Sequence, residues 1–351
     1  MRIVVDVSPL SRPRTGIGNY IRGMVAGLAE AAGDEHELLA FGPSGPRGRD
    51  RIRAALAGLG VEVRTPLAPH GLRQAWSRSG RVAVERIVGP LDVFHFSDWM
   101  YPPQRAGVRA TTVHDLVPLR FPEWVEPETL RLHGRKYENA AATCDRIFAN
   151  SSFTAWDVVE RLGVPEERVR VAYPGIDPRF SPEGEAADLG GPYVLAVSTL
   201  EPRKNLPALV AAFGLLRQRH PELTLALAGL EGWEPEPLAA EGVRLLGFVS
   251  DDELARLYRG AATFAYPSRF EGFGIPVVEA LASGVPAVVS SHPSLDEASG
   301  EAALRADPDD PEAFAAALEQ ALEAPRGTGV EHASRFTWFA CGEAVLAGYL
   351  D

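Results

Sequence analysis

The stretch RFEGFGIPVVEALASGVPAVVSS, residues 269–291, says most about how this chain folds. It begins with a glycine-flanked loop, and Pro276 then suits the first turn of a helix, where a missing N–H costs nothing. Gly284 is placed to end that helix, and the apolar run Val285–Val289 predicts a buried strand. A loop, a helix and a buried strand in this order are typical of a sheet with helices on its faces.

Two carboxylates, Glu271 and Glu279, stand eight positions apart in this stretch. Carboxylates accept hydrogen bonds from sugar hydroxyls, and the free N–H groups of a first helical turn donate to ligand oxygens. Glu279 lies among apolar helix residues, where a buried carboxylate needs a partner such as a ribose diol. The pattern predicts a polyhydroxylated ligand with an anionic group. The alternative is a surface loop and helix with solvated carboxylates.

Strand-like and helix-like runs alternate along the whole chain, which predicts parallel α/β layers. At 351 residues the chain is long for one core, so two domains are expected. The segment Pro174–Gly190 is rich in proline, glycine and acidic residues and is interpreted as a linker. Two doubly wound units are predicted, with ligands in a cleft at the carboxyl ends of two sheets.

The predicted elements can be given for each half. In the first half they are strands at Ile3–Val7, Leu38–Phe41, Val61–Val63, Val93–Phe96, Ala110–Val113 and Arg146–Ala149, and a helix at Tyr20–Ala32. In the second half they are strands at Tyr193–Ser198, Leu223–Ala228 and Thr263–Tyr266, and helices at Leu206–His220, Asp251–Gly260, Pro311–Leu322 and Trp338–Leu350.

The charge is uneven along the chain. Residues 1–180 carry 24 basic and 21 acidic side chains, whereas residues 181–351 carry 11 and 26. The first half includes an arginine-rich set: Arg47, Arg49, Arg51, Arg53, Arg73, Arg78, Arg81 and Arg86. This set is either an ordinary solvated surface or a patch for anionic lipid heads or an anionic acceptor. A net charge of −12 and the lack of a known motif argue against nucleic acid as a partner.

The cysteines and the N-terminus favour a cytoplasmic protein. Cys144 and Cys341 are the only cysteines, which fits a reducing compartment and predicts no disulfide framework. The chain passes from Met1 directly into a strand-like run, unlike a signal peptide. No apolar run reaches the ~18 residues of a membrane span.

Metal and cofactor sites are not predicted. The eight histidines show no paired ligand spacing. Asp307-Pro308-Asp309 is similar to an Asp-x-Asp metal motif, but it is interpreted as a solvated acidic loop.

The segment TGIGNY, Thr15–Tyr20, follows the first predicted strand and precedes a helix. Gly16 and Gly18 would let the backbone approach an anionic ligand at the helix start. The third glycine of a dinucleotide fingerprint is missing. A tight turn and a ligand contact are therefore equally good interpretations.

The segment VHDLVP, Val113–Pro118, ends another predicted strand. His114 could hydrogen-bond a substrate oxygen and stabilise a developing charge, and Asp115 could orient it or act alone. A structural histidine is the alternative, and the other loops favour the functional interpretation.

The segment STLEPRKN, Ser198–Asn205, follows the strand Tyr193–Ser198. Arg203 and Lys204 place two cations beside a helix N-terminus, as a leaving phosphate requires. The chain has only two lysines, Lys136 and Lys204, against 33 arginines, which favours a specific use of the compact ammonium at position 204. An ordinary charged turn is the weaker alternative.

These motifs together resemble a known family. In chain order they are TGIGNY, VHDL, TLEPRKN, LLGFVSDDEL, YPSRFEGFGIPVVEALASGVPAVVSS and ADPDDPEAFAAAL. The set is similar to the retaining glycosyltransferases of family 4, which have two Rossmann-like domains (the GT-B fold). The resemblance covers nearly the whole chain. One departure is the glycine loop, which is Gly-x-Gly followed by Asn-Tyr where many members have a plain double glycine, so the acceptor position is left open.

The resemblance implies domain bounds and site roles. The N-terminal acceptor-side domain would comprise residues 1–183 and 336–351, because the last helix crosses back to it, and the nucleotide-sugar domain would comprise residues 184–335. The implied catalytic residues are His114 beside the donor sugar, Arg203 and Lys204 on the donor diphosphate in place of a metal, and Glu271 on the hydroxyls of the transferred sugar. The other implied donor contacts are Ser198, the amides of Phe273 and Gly274, Glu279 on the ribose, and the loop of Gly16 and Gly18 near the diphosphate and acceptor.

The resemblance also implies the reaction. A hexose, with mannose from GDP-mannose favoured over a UDP-sugar, would move with retention to a glycan, glycolipid or small-molecule hydroxyl, without a metal or other cofactor. A nucleotide-sugar epimerase and an inactive sugar-nucleotide-binding scaffold are the alternatives. The charged site argues against the scaffold, and a transfer assay would distinguish the epimerase. The implied location is the cytoplasm, including the inner face of the membrane, and the oligomeric state is left open.

Overall fold

A computed structural model describes residues 1–13, 16–68, 82–97, 101–229 and 238–351. These residues form two compact units, Met1–Gly175 with Phe336–Asp351, and Ile176–Arg335. Each unit contains one parallel sheet with helices around it. The prediction of a two-domain α/β fold is confirmed.

The first unit contains a parallel sheet of seven strands within the described ranges, in the order β3-β2-β1-β4-β5-β6-β7. The strands are β1 (Arg2–Asp6), β2 (Glu37–Phe41), β3 (Glu62–Arg64), β4 (Val93–Phe96), β5 (Val108–Val113), β6 (Arg146–Ala149) and β7 (Val169–Val171). Its helices are α1 (Gly16–Ala32), α2 (Pro46–Ala55), α3 (Glu85–Val88), α4 (Val117–Arg120), α5 (Pro127–Thr143) and α6 (Ser152–Leu162).

The second unit repeats the pattern with a six-stranded parallel sheet among its described residues, in the order β10-β9-β8-β11-β12-β13. The strands are β8 (Tyr193–Val197), β9 (Thr224–Ala228), β10 (Val243–Gly247), β11 (Thr263–Tyr266), β12 (Ala287–Ser290) and β13 (Leu304–Ala306). Its helices are α7 (Leu206–Arg217), α8 (Asp251–Gly260), α9 (Ile275–Ala282), α10 (Asp296–Ser299), α11 (Pro311–Leu322) and α12 (Val330–Ala333).

The sheet of the first unit is buried on both faces. Ile3 and Val5 of β1 join one apolar cluster, and Val4 between them joins the other. Alternate side chains of a strand point to opposite faces, so a continuous apolar run is what a strand covered on both sides needs. The second unit has a comparable core around β8 and helix α7.

The last helix, α13 (Trp338–Leu350), packs against α1 in the first unit, as expected. The helices approach closely at glycines. A Cβ added at Gly27 would lie 1.7 Å from the carbonyl oxygen of Trp338, and one at Gly342 would lie 2.2 Å from the backbone of Gly27. Only glycine permits this backbone contact.

The structure also differs from the predicted elements. Helix α1 begins at Gly16, four residues before the predicted start at Tyr20. The strands β7, β10 and β13 were not predicted, and all three lie at sheet edges, where partial exposure interrupts the apolar run. Helices α2, α5 and α6 were also not predicted. No helix in the described ranges combines the length and the apolar character that a membrane span needs.

Residues 176–183 group with the second unit, whereas the sequence-based division assigned them to the first. Phe180 lies edge-on to Tyr258 with ring centroids 5.7 Å apart. Arg179 forms an ion pair with Asp252 at 2.6 Å. Both contacts fix the segment to helix α8.

Candidate donor site

Arg203 and Lys204 lie on a 3-10 turn, Pro202–Lys204, between β8 and α7. The turn ends at Asn205, whose φ of 54° is left-handed, a conformation that asparagine tolerates better than most residues. The Asn205 amide donates to the carbonyl of Pro308 at 2.5 Å. The two cations therefore sit just before the first turn of α7, as the sequence predicted.

Glu271 joins both cations. Its Oε1 is 2.6 Å from Lys204 Nζ, and its Oε2 is 2.8 Å from Arg203 Nη1. Glu271 and Lys204 are each only 7% exposed. Arg203 also pairs through Nε with Glu201 at 2.9 Å. Two carboxylates thus balance two cations before any ligand is considered.

Two hydroxyl groups complete the surroundings of Glu271. Tyr266 at the end of β11 donates to Oε1 at 3.0 Å, and Ser268 donates to the same oxygen at 2.5 Å. The Tyr266 hydroxyl also accepts from Lys204 Nζ at 2.8 Å. The loop that carries Ser268 is tied to the turn, because Arg269 N donates to the Arg203 carbonyl at 2.9 Å. The cluster is therefore held by both backbone and side-chain bonds.

The pKa values in this cluster follow from burial and charge. Burial raises the pKa of Glu271, but Arg203 and Lys204 outweigh it and hold the pKa at about 2. Burial and the charge of Arg203 lower the pKa of Lys204, against the opposing effect of Glu271. Burial likewise raises the pKa of Glu201, and the same two cations bring it below its usual value. Both carboxylates are ionised at neutral pH.

Glu279 lies half-buried on helix α9, and its Oε2 accepts a hydrogen bond from Tyr258 at 3.1 Å. The structure thus supplies a partner within the protein, where the sequence had suggested a ribose. Helix α9 begins after Gly274, whose φ is 105°. A Cβ there would lie 2.7 Å from the Leu295 side chain, so glycine is required in this loop. Phe273 beside it is 2% exposed and anchors the loop.

A small depression lies at the carboxyl ends of β8 and β11. Ser198, Lys204 and Tyr266 line it together with apolar residues. Ser198 N donates to the carbonyl of Ala228 at 3.0 Å, which fixes the end of β8. Ligands of open α/β sheets bind at such strand ends.

His114 lies in the first unit, directly after β5, and its ring meets the edge of Tyr20 of α1 with centroids 4.6 Å apart. A narrow cavity beside it is lined by Asp6, Ser97 and Thr112, among others. Asp6 is buried and accepts from Ser8 N at 2.8 Å and from the Ser97 hydroxyl. Burial raises the pKa of Asp6 against these hydrogen bonds.

The glycine loop and the arginine-rich set are described only in part. Gly16 and Gly18 form the first turn of α1, with Gly16 exposed and Gly18 buried, and Thr15 lies outside the described residues. Arg47, Arg51 and Arg53 are exposed on or beside α2, and Arg86 is exposed on α3. Arg73, Arg78 and Arg81 also lie outside the described residues.

The structure brings Arg203, Lys204 and Glu271 into direct contact, whereas sequence reasoning had given them separate roles. It also adds Glu201, Ser268, Tyr258 and Tyr266, none of which the sequence had singled out. The signal for Glu201 is its place two residues before Arg203. The signal for Tyr266 is a hydroxyl-bearing aromatic at the end of a predicted buried strand.

No group of three or more histidine, cysteine or acidic side chains in the described ranges is arranged to hold a metal ion. Asp307 and Asp309 lie in a turn, where Asp309 accepts from Arg269.

Comparison with known proteins agrees with this architecture. Residues 179–337 match the model "Glycosyl transferases group 1", and residues 14–180 match "Glycosyltransferase Family 4". The chain is 30% identical to the O-antigen chain mannosyltransferase B of Escherichia coli, over 99% of both chains.

Two solved structures share the fold. A glycosyltransferase from Rickettsia africae has a TM-score of 0.73 at 15% identity and covers 99% of this chain and 97% of its own. The sucrose-phosphate synthase of Thermosynechococcus elongatus has a TM-score of 0.69 at 19% identity, covering 99% and 98%. Sequence motifs, fold and full-length similarity agree, and the chain therefore belongs to the family 4 glycosyltransferases, hexosyltransferases of the GT-B fold with mannosyltransferase relatives.

Proposed function

We propose that this enzyme transfers mannose from GDP-mannose, with retention and without a metal ion, to a hydroxyl of a glycan, glycolipid or small-molecule acceptor. The observation that carries the proposal is the buried cluster of Arg203, Lys204 and Glu271 before helix α7. It places two fixed cations at the end of a parallel sheet, where nucleotide ligands of this fold class bind.

The cluster suits a departing diphosphate. When the bond between the anomeric carbon and the phosphate breaks, negative charge develops on the leaving oxygens. Arg203 and Lys204 supply fixed positive charge, and the first N–H groups of α7 add partial positive charge. One preorganised donor of this kind contributes ~3 kcal/mol of barrier reduction. The two cations take the role that a divalent metal has in other transferases.

The carboxylates suit the rest of the donor. Oε1 of Glu271 takes three donors, Lys204, Tyr266 and Ser268, whereas within the described residues Oε2 takes one, from Arg203. Oε2 is therefore the less occupied of the two oxygens, and it is the one assigned to a sugar hydroxyl. Glu279 is half-buried on α9 and is assigned to the ribose, with the amides of Phe273 and Gly274 beside the sugar.

Retention follows from the proposed chemistry. The acceptor hydroxyl attacks on the face that the phosphate leaves, and a leaving phosphate oxygen takes its proton, so no strong protein base is needed. His114 is assigned to the donor sugar, where a neutral imidazole donates to or accepts from a hydroxyl. The loop of Gly16 and Gly18 is assigned to the diphosphate and acceptor side.

The choice of donor rests on the relative from Escherichia coli, whose name specifies mannose transfer. A UDP-sugar is the alternative donor. Thermal-shift measurements with GDP, UDP, GDP-mannose, UDP-glucose and UDP-N-acetylglucosamine distinguish them, since a ligand at 100 times its Kd adds ~2.7 kcal/mol of stability. A shift with UDP-sugars only would replace the mannose assignment, and no shift with any nucleotide would overturn the donor site.

The reaction is tested directly with the donor that binds. Incubation with a mannose-containing acceptor should give a glycoside whose anomeric configuration, read by proton NMR, equals that of the donor. Turnover should persist in excess EDTA. A product of inverted configuration would exclude the proposed mechanism. Loss of turnover in EDTA would show that the cluster does not support the reaction without a metal ion.

A further inference from the structure

Tyr266 lies between the two oppositely charged members of the buried cluster. It is 2% exposed and ends strand β11. Its hydroxyl oxygen is 2.8 Å from Lys204 Nζ and 3.0 Å from Glu271 Oε1. The ammonium nitrogen also lies 5.1 Å from the centre of the Tyr266 ring.

The chemistry of the three groups fixes the direction of each hydrogen bond. An ammonium group only donates and a carboxylate only accepts, so the phenol must accept from Lys204 and donate to Glu271. Burial and the charge of Glu271 raise the pKa of Tyr266 well above its usual value, which keeps the phenol protonated. A single proton arrangement therefore satisfies the cluster.

This arrangement also determines how many hydrogens of the Lys204 ammonium group are left for a ligand. Of the three ammonium hydrogens, one goes to Glu271 and one to Tyr266. Within the part of the chain that the structure describes, the third has no acceptor. Lys204 lines the depression at the ends of β8 and β11, where an incoming oxygen could accept it.

We propose that Tyr266 is a positioning residue that holds the Lys204 ammonium charged and oriented, with one N–H available to an oxygen of the donor diphosphate. The part of this inference that concerns the diphosphate rests on the proposed function. The effect of Tyr266 on the charge and orientation of Lys204 does not depend on it. Tyr266 acts through Lys204 and does not itself contact the reacting atoms.

The charged environment of Lys204 is defined by four groups. Arg203 lies on the same turn as Lys204, and Glu201 lies just before that turn. Glu271 lies on the loop after β11, and Tyr266 lies at the end of β11. Burial and Arg203 disfavour the ammonium, whereas Glu271 favours it. The phenol oxygen is a further acceptor for the charged form, so its loss should make Lys204 release its proton at lower pH.

The chain allows a direct test, because Lys136 and Lys204 are its only lysines. Lysine labelled with ¹³C and ¹⁵N gives two sets of side-chain NMR signals, and the variant Lys204→Met assigns them. We expect the titration midpoint of Lys204 to be lower in Tyr266→Phe than in the unmodified protein. We also expect the affinity of Tyr266→Phe for inorganic pyrophosphate to fall about tenfold, because a Lys204 side chain that is less charged and less well oriented loses its charge-assisted hydrogen bond to the ligand.

Tyr193→Phe is the matched control. Tyr193 is also buried in the second unit, and its hydroxyl donates to the Leu257 carbonyl at 2.7 Å, away from the cluster. This variant loses one buried hydrogen bond, but it should leave the Lys204 midpoint unchanged. An equal midpoint in Tyr266→Phe and the unmodified protein would overturn the proposal. Tyr266→Met, which also lacks a hydroxyl, decides the question if the phenylalanine variant does not fold.

The pyrophosphate arm separates this proposal from the proposed function. If pyrophosphate leaves the Lys204 signals of the unmodified protein unchanged, the donor-site assignment fails. The midpoint comparison of Tyr266→Phe then still decides whether Tyr266 maintains the charge of Lys204.

Discussion

Replacing Lys204 with methionine should abolish most of the catalytic activity and leave the fold intact. Methionine keeps an unbranched apolar side chain of similar length but removes the ammonium. Glu271 would remain bonded to Arg203 at 2.8 Å, to Tyr266 at 3.0 Å and to Ser268 at 2.5 Å. The loss of stability should therefore fall below the ~3–5 kcal/mol that an uncompensated buried charge costs. We expect a decrease of about 1–2 kcal/mol.

The effect on turnover should be much larger. Loss of one preorganised donor to a developing negative charge lowers kcat by about 100-fold to 1000-fold. The assay is transfer from the donor that stabilises the protein in the thermal-shift panel, with urea unfolding on the same samples. Lys136→Met is the matched control, since Lys136 is a buried lysine of the other unit that donates to the Thr112 carbonyl at 2.7 Å. Its loss should lower stability and leave the affinity for GDP unchanged. Turnover of Lys204→Met within threefold of the unmodified enzyme would refute the role assigned to the ammonium.

Three further predictions concern binding, pH and packing. Glu201→Gln removes a negative charge beside the cations and should raise the affinity for pyrophosphate about threefold in calorimetry, and a decrease would contradict this. The pKa of Glu271 is about 2 against an ordinary 4.5, so its carboxylate stabilises the fold above pH 4.5, and this contribution is lost as the pH falls towards 2. Urea unfolding at a series of pH values gives the slope of the unfolding free energy against pH. Glu271→Gln should make this slope shallower between pH 4.5 and 2, and an equal slope in the variant and the unmodified protein would disprove the prediction. Gly27→Ala places a Cβ 1.7 Å from the Trp338 carbonyl oxygen and should lower the free energy of unfolding, measured in urea, by ~3 kcal/mol or more. The control Gly134→Ala has open space around its Cβ and should not lower it.

Much of the candidate donor site could be predicted from sequence because its motifs are local. Arg203 and Lys204 follow a recognisable buried strand and precede a helix, so their place at the end of a sheet follows from the chain itself. Glu271 and Glu279 lie in one loop-helix element with a glycine start. The roles of these residues in donor binding, and those of Gly16, Gly18 and His114, stay predictions.

The contacts within the site could not be predicted because they join distant segments. Lys204 bonds to Tyr266 and Glu271, which lie 62 and 67 positions away along the chain. These groups meet because β8 and β11 are neighbours in the sheet, although β9 and β10 stand between them in sequence. A one-residue change of register would move Tyr266 to the other face of the sheet.

The sequence by itself determined the fold class, the family and the identity of the charged residues, because strand periodicity, helix starts and motif spacing are properties of neighbouring residues. Only the tertiary structure decided that the two cations share one carboxylate, that tyrosines hold both glutamates and that the backbones of the first and last helices meet at Gly27 and Gly342. Those features depend on strand order and on close backbone approach, for which no short segment of the chain carries a signal.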